Sequence, residues 1–317
     1  MKITNPTAFA LVCLLAQATA KKDFTPPKHG SGNDTDSITT AASFDASGVK
    51  MTVCPSGDCA TGKFMKLSVT SITELDAKGA TVVSVDKIKP KQSDWTAITT
   101  SVVDGVNVSS TTFVAAPTVG STNTVVNFNL TASIYQGDAT VQYGDQSLSV
   151  PAGALKFTVD ISGWKFTNTA NTLTLAVLLD AKGPNGKALD KPKKKSNSTD
   201  DSETATVERV DMGDSMFMDA PTYAILDGTQ TNLINSSVVV SGGDTSFEWV
   251  FSSFTKTLHY DPVLGEDTST SASSSGSSAS ASASSSGSES SSTSSASKLS
   301  LSGLAATCLA MLAYNFF

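Results

Sequence analysis

Val126-Asn127-Phe128-Asn129-Leu130-Thr131-Ala132-Ser133-Ile134 sets an apolar side chain at every second position, with a polar one between. Successive side chains of an extended strand point to opposite faces, so this period of two describes a strand with one face in a core and the other toward water. The pattern recurs from about Lys63 to Asp261 in short segments rich in Val, Thr, Ile and Phe, separated by Gly, Asp and Asn turns. Examples are 65–73, 80–88, 101–113, 124–135, 139–143, 147–150, 155–161 and 172–179, then 204–210, 222–226, 236–240 and 246–251. Gly144-Asp145 joins two of these as a tight hairpin, because both residue types suit the positive φ such turns require. The expected fold class is all-β, an antiparallel β-sandwich of roughly 200 residues, a size common for one sandwich domain.

Around this body the ends differ in composition. Lys2 precedes an apolar run from Ala8 to Leu15 and the small triplet Ala18-Thr19-Ala20, which reads as a signal peptide over 1–20. The stretch 21–62 is expected to be loosely ordered and to carry a small disulfide loop. The sandwich covers 63–266, interrupted at 182–203 by a charged segment with Pro and Gly that reads as a mobile surface loop. From Asp267 the chain is almost wholly Ser, Ala, Gly and Thr, which cannot bury enough apolar surface to fold, so 267–292 is expected to be a disordered stalk. Gly303 to Phe317 is apolar and uncharged. Fifteen residues of helix rise only about 22 Å, short of a hydrocarbon core of roughly 30 Å. A glycosylphosphatidylinositol (GPI) signal fits better, with Ser292 as the attachment residue, Thr293 and Ser294 completing the small triplet, and 293–317 as the removed propeptide.

Removing both ends takes Cys13 and Cys308, leaving Cys54 and Cys59 around Pro55-Ser56-Gly57-Asp58. A four-residue Pro/Gly turn can bring two thiols within bonding distance in an oxidising compartment, so a disulfide is expected. Sequons for N-glycosylation stand at Asn33, Asn107, Asn129, Asn197 and Asn235. Asn129 falls on the polar face of its strand, where a glycan would reach water. Processing removes Lys2 and Lys298 but no acid, so the net charge deepens from −7 to about −9. With Arg209 as the sole arginine, a nucleic-acid partner is not expected.

The organisation resembles that of GPI-anchored secreted surface glycoproteins of fungi and fungus-like microbes. What carries the likeness is the signal, the Ser-rich stalk at 267–297 and the tail at 303–317. It implies a wall- or surface-associated protein and transfers no functional residue.

Residues able to do chemistry are few. The chain has two histidines, His29 in the N-terminal segment and His259 in a strand, too few for a zinc or copper cluster, and His259 reads as a sheet residue rather than a general base. No metal or cofactor is implied. Glu208 and Glu248 lie in strands and form the acid pair that a sandwich-shaped glycosidase would need, although no spacing links them. Asp211, Asp214 and Asp219 match no calcium loop and read as turn residues. Trp164 and Trp249 read as core, with a bulge at Gly163 returning Trp164 and Phe166 to the inside. Trp95, among Gln92, Ser93 and Asp94, is the tryptophan expected to be exposed and able to stack on a sugar. The function expected is thus that of a non-enzymatic, lipid-anchored surface glycoprotein acting in cell-wall organisation, adhesion or recognition of carbohydrate or a host surface. An extracellular glycoside hydrolase is the alternative.

Overall fold

The computed structural model describes residues 22–25, 39–45, 49–86, 88, 95–120, 123–189, 193–197, 205–241 and 244–267. The expected signal peptide, Asn33, the expected stalk beyond Asp267, Ser292 and the expected propeptide lie outside them. Apart from a 3-10 turn at Pro184–Gly186, the described elements are strands, and they form antiparallel sheets. An eight-stranded sheet runs Lys22–Phe24, Ala41–Asp45, Lys50–Cys54, Phe64–Leu75, Thr172–Lys182, Asp244–Ser252 and Asn235–Ser241, with Thr81–Val85 also paired to Phe64–Leu75. An eleven-stranded sheet runs Lys193–Asn197, Val207–Gly213, Met216–Pro221, Val263–Glu266, Leu155–Ser162, Asn127–Tyr135, Val106–Ala115 and Thr99–Val103. Tyr223–Leu226, Thr229–Asn232 and Thr257–Tyr260 attach to it at one side.

Alternation makes the inner faces. Phe128, Leu130, Ala132 and Ile134 are buried on one strand, Phe157, Val159 and Ile161 on its neighbour, and Leu173, Leu175, Val177, Phe247, Trp249 and Phe251 come from the opposite sheet. Phe157 and Trp249 meet across the sandwich with ring centroids 6.4 Å apart, and Trp249 packs edge-on to Tyr260 at 5.3 Å. Such pairs add specificity to an area term that already favours burial. The 139–150 hairpin forms as expected, with Tyr143 opposite Gln146 and Gly144 at φ +62. Cys54 and Cys59 are disulfide-bonded around Gly57, which turns at φ +77.

Three expectations need correction. The segment 21–62 is not uniformly loose, because Lys22–Phe24, Ala41–Asp45 and Lys50–Cys54 are consecutive strands of the smaller sheet. Within 182–203, Lys193–Asn197 pairs with Val207–Gly213 and so extends the larger sheet. Trp95 is 1 % exposed rather than open to solvent. Its ring lies 5.0 Å from Phe44 and 5.6 Å from Phe113, joining the two sheets in the core.

One ionisable group belongs to the fold itself. The pairing of Phe64–Leu75 with Thr172–Lys182 slips by one residue at Thr70, which reverses the strand's facing and turns Ile72 and Glu74 inward. Glu74, fully buried, accepts hydrogen bonds from Trp164 Nε1 (3.1 Å), Asn171 Nδ2 (2.6 Å), and the Thr167 amide (2.9 Å) and hydroxyl (2.7 Å). Burial opposes its charge, but the donors from Asn171, Thr167 and Trp164 prevail and hold the carboxyl below its ordinary range. The carboxylate therefore fixes the crossover 163–171. Trp164 is buried as expected, with Gly163 at φ +78. Glu74→Ala leaves several buried donors without an acceptor and is expected to lower stability by about 3 kcal/mol in urea denaturation. A loss under about 1 kcal/mol would show that the crossover is held by packing alone.

Candidate functional site

The larger sheet has an outer face as well as an inner one, and part of it is covered. On the 155–162 strand the inward residues Phe157, Val159 and Ile161 alternate with Lys156, Thr158 and Asp160. A second, smaller core forms over this outer face from Val108, Tyr135, Ala139, Tyr143, Leu148, Val150, Tyr223 and Val263. Its roof is the 139–150 hairpin. Tyr143 Oη donates to the Tyr223 carbonyl (3.0 Å), Tyr223 Oη donates to that of Tyr143 (2.9 Å), and the two rings stack at 4.9 Å. Gly144 turns the hairpin at φ +62, which favours glycine, and a Cβ there would come within 2.8 Å of Ile225 Cδ1, a side-chain end that can shift aside.

Under that roof sits a group of ionisable side chains. Lys156, 8 % exposed, donates from Nζ to Asp261 Oδ2 at 2.7 Å and to Thr158 Oγ1 at 2.9 Å. Asp261, 2 % exposed, lies between Thr257–Tyr260 and Val263–Glu266. Its other oxygen, Oδ1, is buried without a hydrogen-bond partner. His259 pairs across the ladder with Asp160, Nδ1 to Oδ1 at 2.8 Å, and presents Nε2 3.5 Å from Asp261 Oδ2. Burial opposes the Asp261 charge, yet His259 and Lys156 outweigh it and hold the carboxyl down at about 2. Burial likewise works against a charged His259, but Asp160 and Asp261 lift it to about 9. Burial, together with the Asp261 charge, pushes Tyr135 up to about 12. The cluster is closed at Lys156 and Asp261 and open to water through the half-exposed His259 and Asp160.

A second set of charges lies where the chain leaves the sandwich. Arg209 grips Asp219 in a fork, Nε to Oδ1 and Nη2 to Oδ2, both at 2.7 Å. Its Nη1 reaches both Asp267 oxygens at 3.1 and 3.2 Å, and the guanidinium lies 4.0 Å over the Phe217 ring. Lys63 pairs with Glu266 and donates to the Asp214 carbonyl at 3.0 Å. Burial raises the Asp219 carboxyl more than Arg209 lowers it.

The remaining expected residues divide among separate places. Glu208 and Glu248 do not converge. Ser236 Oγ donates to Glu208 (3.0 Å) and the next residue, Ser237, to Glu248 (3.4 Å), so the two acids stand on opposite faces of the smaller sheet. Glu208 lines a shallow cleft with Pro221, Leu233 and Ser236, whereas Glu248 is exposed on the outside. Asp211 accepts from the Gly213 amide and Asp214 turns a hairpin at φ 53. Among the described residues no group of three His, Cys, Asp or Glu side chains is arranged to hold a metal ion. Asn107 and Asn235 are exposed and Asn129 is half-buried on the outer face, while the side chain of Asn197 is not described. Sequence reasoning missed Lys156, Asp160 and Asp261. Their outward phase reads as solvent exposure unless the distant hairpin that covers them is known.

A family model described as acidic skeletal organic matrix protein matches residues 58–302, from the disulfide loop through every later strand of the sandwich and into the Ser-rich segment. No curated protein matches the chain significantly.

His259 supplies a pH test. Its folded pKa lies above the ordinary value of about 6.5, so its contribution to stability is complete below that value and is lost as pH rises through about 9. Titration of the imidazole by NMR is expected to place its pKa well above 6.5, and Asp160→Asn to bring it down. An ordinary value in the parent protein would mean that the Asp160 contact does not persist in solution.

Proposed function

The chain belongs to the acidic skeletal organic matrix protein family, and on that premise we propose that it is a non-enzymatic structural glycoprotein, a sandwich head held at the cell surface by a Ser-rich stalk and a GPI anchor. Its family makes it a secreted, extracellular protein. The proposed role is organisation of the extracellular matrix, by adhesion or by contact with carbohydrate. Asn107 and Asn235 are accessible for glycosylation, and Ser292 is the proposed lipid attachment residue.

The observation that carries the reading is the way the last strand is held. Among the described residues Val263–Glu266 is the last strand, and it lies inside the larger sheet, between Met216–Pro221 and Leu155–Ser162, rather than at an edge. Lys63 binds Glu266 at its end, and Arg209 binds Asp267, the next residue. Tension arriving from the stalk would act along a central strand, loading two ladders and two ion pairs together. Arg209 suits this place better than lysine would, because its planar fork holds Asp219 while a third nitrogen reaches Asp267. A catalytic reading has no comparable support, since the two glutamates it required face apart.

Treatment of cells with a phosphatidylinositol-specific phospholipase is expected to release the protein, and replacing Ser291 to Ser295 by bulky residues is expected to abolish surface display. Mature protein that keeps Phe317 and resists the enzyme would overturn the anchor. Pulling single molecules from the C-terminal end is expected to unfold Arg209→Ala at lower force than the parent protein.

A further inference from the structure

Lys156 and Asp261 are an unusual pair to leave as ions. Each is almost entirely withdrawn from water beneath the tyrosine-rich core, where the desolvation of two charges is repaid only if every polar atom is satisfied. That condition fails at Asp261 Oδ1, which has no hydrogen-bond partner. The geometry meanwhile suits bond formation. With Nζ 2.7 Å from Oδ2, the nitrogen stands roughly 3.5 Å from the carboxyl carbon, at the edge of the near-attack range, and Thr158 Oγ1 fixes its direction. His259 Nε2 lies 3.5 Å from the same oxygen, while Asp160 holds Nδ1 and so fixes the imidazole.

We propose that Lys156 and Asp261 condense spontaneously into an intramolecular isopeptide bond, with His259 carrying the proton. The ammonium first passes one proton to Oδ2 along their existing contact, giving a transient neutral amine and neutral acid. The amine nitrogen then bonds to Cγ. The His259 imidazolium protonates the departing Oδ2 and recovers a proton from the nitrogen, so the histidine ends as it began. Oδ2 leaves as water with two of the three ammonium protons, through the side that His259 and Asp160 leave open. Oδ1 remains as an amide oxygen, for which a missing hydrogen bond costs less than for a carboxylate. No oxidant or co-reactant is needed. Two buried charges are replaced by one neutral group, and this relief favours the product.

The bond would join the 155–162 strand to the turn that leads into Val263–Glu266, across 105 positions of sequence. It does not depend on the lipid anchor, because its chemistry lies wholly within the sandwich.

Peptide mapping by mass spectrometry of the full-length protein, after removal of N-glycans, tests it directly. The expected product is a branched peptide joining the segment with Lys156 to the segment with Asp261, lighter than the two together by one water molecule. Recovery of both segments as separate linear peptides, with Lys156 open to acetylation in denaturant, would overturn the proposal, and this measurement needs no variant. Lys156→Arg and Asp261→Ala are each expected to eliminate the branched peptide. His259→Gln is expected to slow its appearance in newly made protein at least about tenfold without moving the junction. Formation at the parent rate in that variant would remove His259 from the mechanism.

Discussion

Along the 155–162 strand, the side chains at 155, 157, 159 and 161 enter the main core, while Lys156 and Thr158 are buried on the other face beneath the 139–150 hairpin. This two-residue alternation is the constraint on which the whole molecule depends. It lets one strand contribute to two cores at once, and it forces any residue on the outer face to contend with whatever folds over that face. Polar residues there are tolerated only with local partners. The larger sheet meets that demand in rows: Ser110 with Ser133 at 2.8 Å, Thr112 with Thr131 at 3.0 Å, and Lys156 with Asp261.

Buried acids take distinct parts in this arrangement according to what surrounds them. Glu74 is surrounded by neutral donors from one crossover and acts as a pin. Asp219 is held in the fork of a guanidinium that also reaches the residue where the chain leaves the sandwich. Asp261 faces an amine and an imidazole, and one of its oxygens faces nothing. The first two are satisfied and structural. The third is the place where composition and environment disagree, and chemistry is to be sought where such disagreement persists.

The alternation at 126–134 and 155–161 made the strands, their facing and the all-β class legible, and the Pro-Ser-Gly-Asp turn did the same for the disulfide. What stayed hidden was set by contacts between distant segments. Trp95 has polar neighbours in sequence and therefore reads as exposed; Phe44 and Phe113, from opposite sheets, bury it. Ala41–Asp45 carries four consecutive buried residues and shows no period of two, so only its pairing with Lys50–Cys54 reveals a strand. Glu74 takes its inward direction from a slip at Thr70 that no local pattern announces. Lys156 and Asp261 were invisible for a similar reason, since neither carries a signal that a hairpin will close over it.

Among the described residues the smaller sheet ends at Asn235–Ser241, whose Val239 and Val240 are 53 % and 40 % exposed, just after Ile234 at 59 %. A margin with exposed apolar side chains favours the addition of another strand, the usual route to stacking of molecules side by side. Asn235, exposed at the start of the same strand, is one of the sequons. A carbohydrate on it would stand over the margin as a hydrated screen, so that the colloidal behaviour of the protein would be governed by its sugar rather than by its charge.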